Sequence, residues 1–187
     1  MKLNMAHLTL SIEPIPESSR LASLANLLPP PQWDRIRRSV YQRAGYRCQI
    51  CGSEGRLHCH EVWGLNTQTG CQWLCGFQAL CPDCHDVRHL FFARGDARRA
   101  ELLRHFIAVN RLTPEEADEH LRAAAERQRK LNQRAWKVDY GGYNGSMAPL
   151  ANQQQRREYA AFLRPGRRSR PQPQPYAVAF AAEPMTD

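Results

Sequence analysis

Two Cys-x-x-Cys pairs constrain the possible folds of this chain more than any other feature of its sequence. They are Cys48-Gln-Ile-Cys51 and Cys81-Pro-Asp-Cys84, and 29 residues separate them. A Cys-x-x-Cys turn brings two thiolates close enough to share one ion, and four thiolates favour tetrahedral Zn²⁺. Such an ion stabilises a region that is too small to fold on its own core. The spacing therefore predicts a structural zinc bound by Cys48, Cys51, Cys81 and Cys84.

The chain has seven cysteines, so three lie outside the two pairs: Cys59, Cys71 and Cys75. We interpret these three as small buried hydrophobic residues, with weak metal binding by Cys71 and Cys75 as the alternative. The sequence shows no secretory signal and no apolar run of roughly 18 residues, so we expect a cytoplasmic protein without membrane association. A thiol oxidoreductase would need one exposed reactive pair rather than two pairs that complete a metal site.

The composition changes twice along the chain and divides it into three parts. Residues 1–31 contain several Pro and Ser residues and predict an N-terminal arm, with a weak amphipathic segment over Arg20 to Leu28. Residues 32–140 carry regular apolar patterns and predict the folded domain. Residues 141–187 are basic and Pro-rich, and we expect a disordered tail that contacts nucleic acid or a partner protein.

Residues 32–140 predict an α+β domain. The pattern from Gln32 to Ala44 has helical spacing, and Gly45 suits the left-handed residue that follows a helix. The segment LHCHEVW predicts a strand. Three further helices are indicated: one that begins at Pro82, one from about Ala97 to Val109, and one that begins with the capping box of Thr113 and Glu116 and runs to about Leu131.

Histidines on the predicted strand and on the helix after it indicate a second metal site. His85 and His89 are four residues apart, so they share a helix face, while Cys84 points about 100° away. Alternation along the strand places His60 on one side and Glu61 on the other, although a kink would let both approach one ion. A single histidine is more often a surface or core residue. Together, His60, His85 and His89 predict binding of a second divalent metal: Mg, Mn, Ni or Zn.

The formal net charge is +8 and the pI is about 9.4. An excess of Lys and Arg suits a protein that binds a polyanion, although a solubilising surface explains the charge equally well. If nucleic acid is the partner, basic residues before the first Cys-x-x-Cys pair and on the helix that begins at Pro82 are candidates for phosphate contacts. They are Arg35, Arg37, Arg38, Arg43 and Arg88.

Three strings of this sequence resemble the HNH, or ββα-metal, endonucleases, in the branch that carries two Cys-x-x-Cys knuckles. They are WDRIRRSVYQRAGYRCQICG, LHCHEVW and GFQALCPDCHDVRH. The resemblance covers about residues 32–140, including VNRLTPEEA and AWKVDY, and is greatest to a group of small bacterial proteins. It implies a small ββα-metal zinc-knuckle core flanked by α-helices, and the arms, which we expect to be disordered, lie outside it. It also implies hydrolysis of phosphodiester bonds, most simply in DNA, with one divalent metal.

The family's site residues transfer only in part to this chain. In the family, a histidine at the strand end acts as general base, and the residue before it holds the metal with a helix histidine. Aligned without a gap, His60 takes the metal position, Glu61 takes the base position, and His85 takes the position of the helix histidine. His89 is a further candidate ligand. The resemblance thus implies that Glu61, His60 and His85 carry the catalysis, with a carboxylate as base.

A second alignment places His60 at the base position and Cys59 at the metal position. The family also has an asparagine that orients its base histidine, and Gly76 stands where that residue is expected. Asn66 or Gln78 are candidates to replace it. Because of these departures, the alternative function is a non-catalytic module of the same fold that binds nucleic acid or serves as a subunit of a nucleoprotein complex.

Overall fold

A β-hairpin and the helix that follows it lie at the centre of the fold. The computed structural model describes residues 8–140, and the architecture is α+β, as predicted. The strands are β1 (His58–Asn66), β2 (Cys71–Leu80) and β3 (Lys137–Asp139). The helices are α1 (Leu24–Leu27), α2 (Pro30–Arg43), α3 (Pro82–Arg88), α4 (Asp96–Asn110) and α5 (Pro114–Leu131), with 3-10 turns at Glu17–Ser19 and Leu90–Phe92.

The sheet has the strand order β1-β2-β3, with β1 antiparallel to β2 and β2 parallel to β3. The register pairs Val62 with Gly76 and Trp63 with Leu74, so Cys75 is an extra residue on β2. Such a bulge shifts the alternation of side chains by one residue. Leu74 therefore lies on the same face as Phe77, although the two residues are an odd number of positions apart.

The two faces of the hairpin support separate apolar cores. One core joins Leu24, Ile36 and Val40 from α1 and α2 to residues of β2 such as Phe77 and Ala79. The other joins Leu80 to α3, α4 and α5, and includes three of the paired cysteines. His60 belongs to the side of the second core and Glu61 to the side of the first, because β1 alternates without interruption as far as Val62.

Residues 8–31 pack against the domain, which differs from the arm that the sequence predicted. Leu10 and Ile12 are buried in the second core. Asn110 of α4 exchanges two hydrogen bonds with the backbone of Leu10, at 3.0 and 2.8 Å. Gln128 of α5 does the same for Ile15, at 3.1 and 2.6 Å. These long-range contacts from side-chain amides supply hydrogen-bond partners for the backbone of an extended segment, and no periodic sequence pattern predicts them.

Local sequence signals located most helix boundaries correctly. The capping box of Thr113 and Glu116 is present, with bonds of 3.2 and 2.8 Å, and Gly45 has a positive φ of 59°. Helix α2 begins at Pro30 rather than Gln32, because proline suits the first helical positions. No helix of the described residues combines the length and apolarity needed to cross a bilayer. The predicted tail, residues 141–187, lies outside the described residues.

Candidate metal centres

The two Cys-x-x-Cys pairs meet at one point. The sulfur atoms of Cys48, Cys51, Cys81 and Cys84 all lie within 4.8 Å of one another. The Sγ atoms of Cys51 and Cys81 are 3.7 Å apart. A tetrahedral zinc with Zn–S distances of about 2.3 Å would separate its sulfur ligands by roughly 3.8 Å. The four cysteines therefore form a cluster compatible with a structural zinc site.

Both knuckles are supported by their own backbone. The N–H of Cys84 donates to Sγ of Cys81 at 3.4 Å, at the start of α3. In the first knuckle, the N–H of Gly52 donates to the carbonyl of Cys48, and the N–H of Cys48 donates to the carbonyl of Ser53, both at 2.9 Å. Gly52 adopts a φ of 77°, which a residue with a side chain rarely does.

The thiols of this cluster influence one another strongly. A hydrogen bond from Cys84 lowers the pKa of Cys48 to about 4, and the same contact raises the pKa of Cys84. Several thiolates this close together repel one another unless a cation lies between them. His105 of α4 adds a polar contact that the sequence did not reveal, because its Nε2 lies 3.1 Å from Sγ of Cys84.

Three histidines form a second cluster beside the first. His60 of β1, His85 of α3 and His89 just after α3 each offer a ring nitrogen, and the three nitrogens lie within 4.8 Å of one another. The ring centroid of His60 lies 5.5 Å from that of His85 and 5.0 Å from that of His89. We call these residues the histidine trio. The structure thus brings together the three histidines that the sequence predicted as ligands of the second metal.

The histidine trio has the chemical character of a metal site. Nδ1 of each ring is buried and has no partner within hydrogen-bond distance among the described residues, although Oδ1 of Asp86 lies 3.6 Å from Nδ1 of His85. Burial and the nearby His60 lower the pKa of His85 to about 4 and that of His89 to about 3, so both are neutral at pH 7. A neutral imidazole nitrogen with a free lone pair is a ligand for Zn, Ni, Co or Mn. The residues present therefore fit a divalent cation.

Glu13 is a component of this site that sequence reasoning missed. Its Oε2 lies 2.9 Å from Nε2 of His60, and its Oε1 accepts a hydrogen bond from Arg88. Burial favours the neutral acid, but the hydrogen bond with His60 and the attraction of His60 and Arg88 outweigh it, so the pKa of Glu13 falls to about 2. No motif marks Glu13, because it lies in the Pro-containing stretch IEPIP, 47 residues before His60.

Glu61 lies on the opposite face of β1 from the histidine trio. Its Oε1 accepts a hydrogen bond from the backbone N–H of Ala25 at 3.3 Å, so it anchors α1 to the sheet. The sequence left open whether a kink would bring His60 and Glu61 to one ion, and the bulge instead lies beyond Glu61. Burial raises the pKa of Glu61 to about 7, although hydrogen bonds from Ala25, Leu24 and Trp63 act against this shift.

We expect the substitution Glu61→Gln to change how stability depends on pH. The folded state holds the Glu61 proton more tightly than the unfolded state, whose pKa is near 4.5. The stabilisation is complete below that value and is lost as the pH rises through 7. Between pH 4.5 and 8 the wild type should lose on the order of 2 kcal/mol relative to Glu61→Gln. Urea unfolding across this pH range measures the free energy of unfolding. The control is Glu119→Gln, which removes an exposed carboxylate. Parallel pH curves for the wild type and Glu61→Gln would contradict the prediction.

A cavity of about 220 Å³ is lined by residues from both sides of β1. It is bordered by all three histidines of the trio and also by Glu61, so the candidate ligands and the candidate base share one solvent-accessible space. The wall also includes the aromatic side chains of Trp33 and Trp63 and one basic side chain, Arg20. The guanidinium of Arg20 lies 5.6 Å from the centre of the Phe92 ring. Sequence reasoning did not select Arg20, because it lies in the predicted arm.

The alternative site residues lie elsewhere. Cys59 is on the Glu61 side of β1 and packs with the first core, and burial raises the pKa of its thiol to about 12, so it does not join the histidine trio. The side-chain oxygen of Asn66 accepts hydrogen bonds from the backbone N–H groups of Gln68 and Thr69 and so stabilises the hairpin turn. Gln78 pairs with His60 across the sheet and accepts from Arg88 at 3.3 Å.

The five arginines predicted to contact phosphate have different environments. Arg35, Arg38 and Arg43 are exposed on α2, while the half-buried Arg37 pairs with Asp34 at 2.6 Å. Arg88 is 7% exposed and pairs with Glu13. A buried guanidinium held by a carboxylate cannot reach a polyanion, so the assignment of Arg88 to the nucleic-acid surface is corrected: it belongs to the interior.

The fold and the site together define an α+β protein with a four-cysteine cluster beside a three-histidine cluster. Comparison of the chain with protein-family models, with curated proteins and with solved structures gave no match in any of the three.

Proposed function

We propose that this protein is a zinc-stabilised, metal-dependent endonuclease of the HNH type, which hydrolyses phosphodiester bonds in DNA. The observation that carries the proposal is the histidine trio, in which one ring nitrogen from each residue lies within 4.8 Å of the others beside a cavity. The order of a hairpin, a helix and two cysteine knuckles supports the ββα-metal architecture that the sequence resemblance implies.

In this proposal the two clusters have separate roles. Cys48, Cys51, Cys81 and Cys84 hold a structural zinc that ties the first knuckle to the start of α3. The histidine trio holds the second metal. A divalent cation bound there supplies electrostatic stabilisation for the charge that develops on a phosphodiester during hydrolysis.

The other residues of the cavity have roles that follow from their positions. Glu61 is the candidate general base, because it lines the same cavity as the histidine trio and its carboxylate can accept a proton from water. Arg20 supplies positive charge beside the site and can bind a substrate phosphate. The exposed Arg35 and Arg38 of α2 would contact backbone phosphates farther from the reacting bond.

Nicking of supercoiled plasmid by the purified protein with Mg²⁺, Mn²⁺, Ni²⁺ or Zn²⁺ tests this proposal. We expect His85→Ala and His89→Ala each to lower the nicking rate at least about 100-fold, because each removes one of three ligands. The matched control is His58→Ala, whose ring lies 4.7 Å from that of His85 but outside the histidine trio; it should retain most of the activity. A wild-type protein that nicks no plasmid with any of these metals would overturn the proposal.

A second candidate function is a non-catalytic module that binds nucleic acid. The position of Glu61 favours it, since the carboxylate is held by the backbone of Ala25 and lies on the far side of β1 from the histidine trio. In that case DNA or RNA should shift in a gel without metal at the histidine trio, and His85→Ala should leave the shift unchanged.

A further inference from the structure

Glu13 links the N-terminal segment to the histidine trio. Its carboxylate contacts Nε2 of His60 on one side and the guanidinium of Arg88 on the other. Its backbone N–H also donates to the carbonyl of Arg88 at 2.9 Å, at the end of α3. Contacts of its carboxylate and its backbone thus hold Glu13 between β1 and α3, the strand and the helix that position the histidine trio.

This contact determines which nitrogen of His60 is available. A carboxylate that pairs with an arginine is ionised at neutral pH, so it can only accept a hydrogen bond. Nε2 of His60 must then carry the proton that is donated to Glu13. In the neutral imidazole, Nδ1 then keeps its lone pair, and it is buried without a partner among the described residues. In metal sites, a carboxylate behind a histidine fixes the ring and its tautomer in this way.

We infer that Glu13 is a positioning residue for the histidine trio, which holds His60 in the Nε2–H form so that Nδ1 is the atom that binds the second metal. The inference rests on the proposed metal site of the histidine trio. The anchoring of the N-terminal segment to the domain is consistent with this role. Asn110 and Gln128 bind the backbone on either side of Glu13, at Leu10 and Ile15, and thereby set its place against His60.

Metal binding to the zinc-loaded full chain tests the role of Glu13. Titration calorimetry with Ni²⁺ should show an affinity about 10- to 100-fold weaker for Glu13→Ala than for the wild type. Glu13→Asp, which retains the charge, should lie between them. The matched control is Glu17→Gln, an exposed carboxylate on the same segment, whose affinity should equal that of the wild type. An unchanged affinity in Glu13→Ala would overturn the inference.

A measurement on the wild type keeps the inference testable even if Glu13→Ala does not fold. Long-range ¹H–¹⁵N correlation spectra of the protein without Ni²⁺ should show His60 protonated at Nε2, and a proton on Nδ1 would contradict the inference. Neither measurement depends on nicking. A protein that binds Ni²⁺ through a Glu13-dependent His60 but cleaves no plasmid would therefore refute the proposed activity while leaving the role of Glu13 intact.

Discussion

Chelation of the zinc that we propose at the four-cysteine cluster is expected to unfold the described domain. Cys48, Cys81 and Cys84 belong to the same buried core as Val87, Leu90 and Phe106, so the cluster joins the hairpin and the helices α3 and α4. Structural zinc contributes apparent free energies of about 10–16 kcal/mol in small domains at pH 7. Such values match or exceed the whole stability of a typical domain, about 5–15 kcal/mol.

Circular dichroism during thermal unfolding, with and without a strong zinc chelator, measures this effect. The chelated protein should lose its cooperative transition, and Cys84→Ser should behave in the same way without chelator. Cys75→Ser is the matched control, because Cys75 is exposed at the bulge and lies outside the cluster; it should melt like the wild type. A chelated protein that still melts cooperatively at the wild-type temperature would show that these cysteines are not a structural zinc site.

The substitution Arg88→Met is expected to destabilise the protein by about 3 kcal/mol, although the sequence had indicated a surface arginine. The side chain donates to Ser11 at 2.8 Å and to Gln78 at 3.3 Å, and it pairs with Glu13. Removing one partner of a buried ion pair typically costs about 3–5 kcal/mol, because the other charge stays uncompensated. We expect the lower end of this range, since the Glu13 side chain is 29% exposed.

Arg98→Met is the matched control for Arg88→Met. Arg98 has more ion pairs, with Asp83 at 2.8 Å, Asp86 at 2.7 Å and Glu101 at 3.3 Å, but its side chain is 35% exposed. Exposed pairs contribute little, so we expect a loss of about 1 kcal/mol or less. Urea unfolding of the zinc-loaded variants measures both. Equal losses for the two arginines would show that Arg88 is not a buried structural residue.

The position of Glu61 illustrates a limit of reasoning from the sequence. Alternation along a strand correctly separates His60 from Glu61, and the sequence left open whether a kink would bring them to one ion. The irregularity in the hairpin is an extra residue, Cys75, on β2. The register shifts between Val62 and Trp63, after Glu61, so it does not bring Glu61 to the side of His60. Bulges depend on pairing between two strands, so the residues of one strand do not locate them.

The two clusters of candidate metal ligands could be predicted from the sequence, because they depend on local geometry. The cysteine spacing, the i and i+4 spacing of His85 and His89, and the alternation of β1 identified both clusters, because each depends on short-range geometry. The capping box of α5 was readable for the same reason. These features require only the period of a helix or a strand and the ligand preferences of a metal.

The tertiary structure alone decided the roles of Glu13, Arg20 and Arg88. Each depends on the N-terminal segment lying across the domain, where Asn110 and Gln128 hold its backbone. These contacts join residues about 100 positions apart in sequence, and no periodic pattern predicts them. The sequence by itself determined which residues can bind metal. The packing of an apparently irregular segment determined which carboxylate lies behind His60, because only the folded chain brings that carboxylate and that imidazole together.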